Sequence, residues 1–208
     1  DVFIAGGVES MTRGPYAMSK PSSAYGTDSK MYDTSFGWRF VNPKMHKMYG
    51  TDGMGVTAEN VAGEHDISRA AQDAFALQSQ ERAAAAIAAG YFESQIAPVP
   101  VKKRREVVDF VTDEHPKATT LEALSGLRPV FQKDGSVTAG NASGINDGAA
   151  ALVLARGDAA EKAGLKPKAR ILGYAHAGVR PEVMGIGPIP AVEKLLQRID
   201  MTVGDFDL

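Results

Sequence analysis

The stretch Thr138 to Arg156 reads TAGNASGINDGAAALVLAR. Small residues (Ala139, Gly140, Ala142, Ser143, Gly144) come first, then an Asn146-Asp147-Gly148 turn signal, then a compact apolar segment from Ala149 to Ala155. Small side chains let a ligand or a neighbouring backbone come close, and glycine adds conformations that such an approach often needs. Asn141, Ser143, Asn146 and Asp147 place hydrogen-bonding groups at the boundary of an element. The stretch therefore predicts a tight loop leading into a buried strand, its small residues packed against neighbouring backbone or against a ligand, with packing the simpler reading. Asp147 and Asn146 are expected to fix the turn through local side-chain to backbone bonds.

Outward from this stretch the chain alternates. Asp158 to Ala163 reads as a helix ended by Gly164, and Ala169 to Ala177 as a strand. Pro190 to Ile199 reads as a second helix, with Val192, Leu195, Leu196 and Ile199 at three- and four-residue spacing. Strands alternating with helices indicate an α/β layered architecture. Upstream, Ser68 is suited to an N-cap and Gly90 to a C′ position for a helix over about 69–89, with Phe75 and Ile87 on one face. Ile96 to Val101 and Val107 to Val111 read as two short strands around the basic run Lys102 to Arg105. Thr119-Thr120-Leu121-Glu122 reads as a helix start. Val2 to Ala5 is apolar and β-compatible, Gly6-Gly7 is expected to end it, and no partner strand lies nearby in sequence. Residues 12–56 are rich in Gly, Pro, Ser, Met and Tyr without a sustained period, which suits a functional loop or an interface. Both ends read as cut from a larger sheet.

Composition excludes several classes. The 208 residues are 44% hydrophobic and 23% charged, as in an ordinary globular protein. A net charge of −2 gives no general attraction to nucleic acid or to an anionic membrane. No apolar run is long enough for a membrane span. The absence of cysteine removes disulfides and thiolate metal sites, and His46, His65, His115 and His176 have no ligand spacing, so no metal site is expected. A cytoplasmic protein is the simplest expectation.

Five further segments then carry an identity. AGGVESM (Ala5–Met11), TAENVA (Thr57–Ala62), SRAAQDAFALQSQ (Ser68–Gln80), LRPVF (Leu127–Phe131) and MGIGPIPA (Met184–Ala191), taken with the TAGNASG stretch, are collinear with the elements of one family. In these residues the chain resembles the thiolases, which make or cleave 3-ketoacyl-CoA thioesters. The long aromatic segment TSFGWRFVNPKM (Thr34–Met45) with YGTDGM (Tyr49–Met54) resembles the β-ketoadipyl-CoA type most.

The resemblance implies a layered α/β thiolase-like fold, incomplete here, with an inserted α+β loop domain. Residues 1–11 and 136–180 would belong to the N-terminal half, 12–135 to the loop domain, and 181–208 would open the C-terminal half. It implies coenzyme A or acetyl-CoA as substrate, with no permanently bound cofactor, and a homo-oligomer, dimer or tetramer. Ser143 matches the serine that hydrogen-bonds the pantetheine arm. Ala139, Gly140 and Ala142 match the small residues lining it, and Phe131 matches an aromatic near the coenzyme. Met45 and Met54 match apolar residues of the same groove, and Met184 a methionine near the acyl end. Close packing accounts equally well for the three small residues. The chain departs from the family pattern at Gly53, where a histidine is frequent, and at Pro116, beside Lys117, where an arginine could meet the nucleotide. The implied nucleophilic cysteine and the second, acid/base cysteine have no match here, because there are no cysteines. The implied nucleophile would lie before Asp1, and the catalytic histidine beyond Leu208. No catalytic residue is therefore assigned, and the chain alone is expected to be inert. A non-catalytic CoA- or lipid-binding relative and an oligomerisation module built on residues 12–56 stand as alternatives.

Overall fold

The structure, a computed structural model, describes residues 2–207. In chain order it contains β1 (Val2–Glu9), β2 (Tyr16–Met18), β3 (Met31–Asp33), α1 (Pro43–Tyr49), α2 (Met54–Glu64), α3 (Arg69–Ala88), β4 (Val99–Lys103), β5 (Glu106–Phe110), α4 (Leu121–Ser125), β6 (Gly148–Ala155), α5 (Gly157–Lys162) and α6 (Pro188–Ile199). The chain divides into two compact units. One holds the residues up to Val61 and those from Ile145 onward, and the other holds Ala62–Gly144.

In the first unit, β1 pairs antiparallel with β6, Val2 opposite Ala155 and Glu9 opposite Gly148. The partner that β1 lacks nearby in sequence is thus supplied by a strand that begins at Gly148, well over half the chain length away. The strand does not end at Gly6-Gly7, because Gly6 is a point of close approach: a Cβ there would lie 2.8 Å from the Ala150 carbonyl oxygen. The expectation of a buried strand at Ala149–Ala155 is corrected. The strand forms, but every residue of β1 and β6 is exposed, since a two-stranded ribbon leaves both faces uncovered.

A second correction concerns Ala169–Ala177, which forms no strand among the described residues. Its alternation is real: Gly173, Ala175 and Ala177 are half-buried, and Leu172, Tyr174 and His176 are exposed. Its partner is a helix. A Cβ at Gly173 would lie 2.7 Å from Ile199 Cγ2 and 3.1 Å from Leu195 Cδ1 of α6. From that helix, Arg198 donates to the Tyr174 carbonyl at 3.1 Å and Lys194 to that of His176 at 3.4 Å. α6 turns Leu195, Leu196 and Ile199 inward as its spacing predicts, while Val192 stays exposed.

In the second unit α3 begins where the sequence places it. The Ser68 hydroxyl accepts from the Ala71 N–H at 3.2 Å, and Gly90 takes φ +73° just past the end. Its expected apolar face is uncovered, with Phe75 75% exposed. β4 and β5 form a hairpin, but its turn is Arg104-Arg105 alone: β4 takes in Lys102 and Lys103 and starts at Val99 rather than at Ile96. Thr120 caps α4 by accepting from the Ala123 N–H at 3.1 Å. Leu124 and Val137 are buried in this unit, as are the polar residues Asp73 and Thr138.

Candidate functional site

The loop of small residues is held from α3. Arg69 and Asp73, one helical turn apart, form an ion pair at 2.8 Å, with Asp73 3% exposed. The other Asp73 oxygen accepts from Asn141 Nδ2 at 3.0 Å, and the same nitrogen donates to the Ser136 carbonyl at 3.0 Å. Asn141 Oδ1 accepts the Thr138 N–H at 2.7 Å. Arg69 continues across the helix, donating to the carbonyls of Leu124 at 2.7 Å and Leu127 at 3.0 Å. Among the described residues no buried side-chain nitrogen or oxygen lacks a partner, the condition that makes a buried charge tolerable.

Thr138, fully buried, starts the loop. Its hydroxyl accepts the Gly140 N–H at 3.2 Å and its carbonyl the Ala142 N–H at 3.0 Å, closing a single turn. Gly140 packs closely: a Cβ would sit 2.6 Å from both Leu124 Cδ2 and Leu127 Cδ1, so a side chain there requires those leucine ends to shift. Ala142 is half-buried, and Ala139 and Ser143 are exposed. Phe131 belongs to the neighbouring segment, which bridges the loop through Pro129 and Thr138, with Val130 N–H donating to the Val137 carbonyl at 3.1 Å. The side chain of Phe131 is 46% exposed. Phe131, Ala139, Gly140, Ala142 and Ser143 thus share one unit.

Met45, Met54 and Met184 lie in the other unit, all three exposed. Met54 opens α2 and Met184 lies in the 3₁₀ segment Pro181–Ile186. Asn60 of α2 joins those two elements, donating to the Glu182 carbonyl at 2.9 Å and to Asp52 at 3.1 Å. Met45 is on α1, which Asn42 caps by accepting the Lys44 N–H at 2.9 Å. Three exposed thioether side chains on capped or bridged elements give adaptable apolar surface.

Asp147 corrects the expectation of a local turn. Its carboxylate accepts the Thr12 N–H at 2.9 Å and the Thr12 hydroxyl at 2.7 Å, joining the start of β6 to the end of the AGGVESM segment. The Thr12 N–H first, and its hydroxyl second, hold the Asp147 carboxyl below the usual aspartate range.

The sequence reading missed Arg69 and Asp73 as shapers of the loop. Their signal is an i,i+4 Arg–Asp pair directly after a helix cap, which is common on exposed helix faces and so carries no mark of burial. Among the described residues no cluster of His, Cys, Asp and Glu could hold a metal, and no helix is long and apolar enough to cross a membrane.

Comparison with known proteins places the chain in a family. The thiolase N-terminal domain profile matches residues 1–158 and the thiolase C-terminal domain profile residues 165–208. The whole chain is 56% identical to a β-ketoadipyl-CoA thiolase of Pseudomonas aeruginosa, covering 52% of it. It is 50% identical to the 3-oxoadipyl-CoA/3-oxo-5,6-dehydrosuberyl-CoA thiolase of Escherichia coli, again covering 52%. The chain therefore spans about half the length of these relatives. Among solved structures, human mitochondrial 3-ketoacyl-CoA thiolase in complex with CoA superposes with TM-score 0.85 at 43% identity, over 100% of this chain and 51% of that one. The Bacillus anthracis acetyl-CoA acetyltransferase gives TM-score 0.84 at 45% identity, over 100% of this chain and 52% of that one. With an α/β thiolase-like fold and profile matches along nearly all of its length, the chain belongs to the thiolase family.

Proposed function

We propose that this chain is the coenzyme A-binding portion of an acyl-CoA C-acyltransferase that forms or cleaves 3-ketoacyl-CoA through a cysteine thioester. The observation that carries the reading is the TAGNASG loop, held in one turn with Ser143 exposed at its end, in a chain similar to a thiolase solved with CoA. In this reading the Ser143 hydroxyl hydrogen-bonds the pantetheine arm, and Ala139, Gly140 and Ala142 give it a close wall. Phe131, Met45 and Met54 supply apolar contact to the coenzyme, and Met184 to the acyl end. The substrate class is acyl-CoA with a β-keto group, β-ketoadipyl-CoA foremost, given the relatives. Residues 1–11 and 136–180 belong to the N-terminal thiolase half, 12–135 to the loop domain and 181–208 to the C-terminal half. The protein works as a homo-oligomer in the cytoplasm, with no resident cofactor.

The acyl-accepting thiolate has to come from outside these 208 residues, which contain no cysteine. What this chain does is bind and orient the thioester, the part of the barrier that positioning lowers. Two measurements test the reading. In the complete gene product, Ser143→Ala should weaken CoA binding by about 1 kcal/mol, about fivefold, as for one net hydrogen bond. Unchanged affinity by titration calorimetry removes Ser143 from the pocket. The purified 208-residue chain should not consume a 3-ketoacyl-CoA in the presence of CoA; turnover by it would overturn the placement of the nucleophile elsewhere.

A further inference from the structure

The structure gives residues 138–144 one buried anchor. Asn141 spends its whole amide on it: Oδ1 accepts the Thr138 N–H at 2.7 Å, and Nδ2 donates to Asp73 and to the Ser136 carbonyl, both at 3.0 Å. Asp73 is 3% exposed, and its second oxygen is taken by Arg69 at 2.8 Å. Arg69 in turn holds the Leu124 and Leu127 carbonyls, the segment against which Gly140 packs. Gln72 of the same helix donates to the Ser136 hydroxyl at 2.9 Å and to the Ile67 carbonyl at 3.1 Å. The Thr138 N–H can only donate, and the Asp73 carboxylate and Ser136 carbonyl can only accept, so these partners admit one orientation of the Asn141 amide.

A buried ion pair is a poor way to gain stability, because apolar residues of similar volume serve as well or better. What a fully paired polar network supplies is a single conformation. Here that conformation ends in Ser143, exposed and two residues past Asn141.

We propose that Arg69, Asp73 and Asn141 are positioning residues for coenzyme A recognition: they set the backbone of residues 138–144 in advance and thereby present Ser143 to the ligand. The inference rests on the reading of Ser143 as a coenzyme A contact. None of the three touches the ligand. They act by removing the ordering cost that a mobile loop would otherwise subtract from affinity.

The test uses the complete gene product and three variants, Asn141→Asp, Asp73→Asn/Asn141→Asp and Ser143→Ala. Asn141→Asp keeps the shape but sets a carboxylate against that of Asp73, a like-charge contact that cannot persist. The double variant exchanges the two groups, so that an amide on position 73 again donates to position 141 and accepts from Arg69, with the Ser136 bond still lost. Two readouts are followed: hydrogen-exchange protection of the Gly140 and Ala142 amides, whose bonds go to Thr138, and CoA affinity by calorimetry. Asn141→Asp should lower both by about tenfold, the scale of one hydrogen bond to a charged group. The α6 amides should be unaffected, and the double variant should recover part of both losses. Unchanged protection in Asn141→Asp overturns the proposal, as does an altered loop with unaltered CoA affinity. If Asn141→Asp unfolds the protein, the double variant decides: recovered loop protection and CoA binding support the proposal, and a variant that stays unfolded or unrecovered overturns it. Ser143→Ala separates the two readings. If it leaves affinity unchanged while Asn141→Asp lowers it, the serine assignment fails. If it weakens binding while Asn141→Asp changes neither readout, the positioning role fails.

Discussion

Asp147 shows what a single side chain contributes here and what the sequence tells of it. Its carboxylate takes both the N–H and the hydroxyl of Thr12, and these bonds hold its carboxyl below the usual range. A lowered folded-state value means that the stabilisation is complete above the unfolded-state value and is lost as pH falls through the folded one. The relevant window therefore opens below about pH 4, the unperturbed aspartate value. Asp147→Asn should lower the melting temperature at pH 7 and flatten its decline on acidification below that pH; a decline as steep as in the parent would deny Asp147 this role. The sequence showed the Asn-Asp-Gly turn but not this partner, which lies 135 residues away. Helix ends behave differently. Ser68, Thr120 and Gly90 were legible because their partners lie within one turn of the chain.

Among the elements, α3 and α6 formed where local periodicity places them, and the β4–β5 hairpin formed with β4 shifted into the basic run. Ala169–Ala177 did not, because alternation reports that one side is covered without saying whether a strand or a helix covers it. The same limit applied to the small-residue loop, where Gly140 proves to be small to accommodate α4 and the residues after it. Gly140→Ala should accordingly destabilise the protein by about 1–3 kcal/mol in urea unfolding, the usual cost of overfilling a packed contact. Leu124 is buried and cannot yield, whereas Leu127 is 38% exposed and can. Truncating Leu127 to Ala should therefore recover part of that loss in the double variant. Strictly additive losses would mean that the two positions do not meet. The small-residue character of the loop was legible in the residue order alone. The anchor beneath it was not, since Arg69, Asp73 and Asn141 converge from segments far apart in sequence.

At the scale of the whole chain, the ribbon of β1 and β6 is the element least satisfied by what surrounds it. Directly opposed residues share a face, so Ile4 with Val153 occupies one side, and Phe3 with Leu154 and Ala5 with Leu152 the other. Both sides are apolar and both are open: Ile4 is 81% exposed, Val153 67% and Phe3 65%. A near-continuous apolar strand is the pattern of one covered on two faces, and two strands by themselves are marginal in water. Exposed apolar faces and unpaired edges are templates for another chain. The 208-residue chain in isolation should thus self-associate, with a scattering mass that rises with concentration. Replacing the opposed pair Ile4 and Val153 by Lys and Glu keeps a cross-strand attraction while making that face polar. The double variant Ile4→Lys/Val153→Glu should shift the scattering mass towards the monomer without loss of helical circular dichroism. An association that persists undiminished would place the sticky surface elsewhere, on the exposed aromatic segment Phe36, Trp38 and Phe40 before any other.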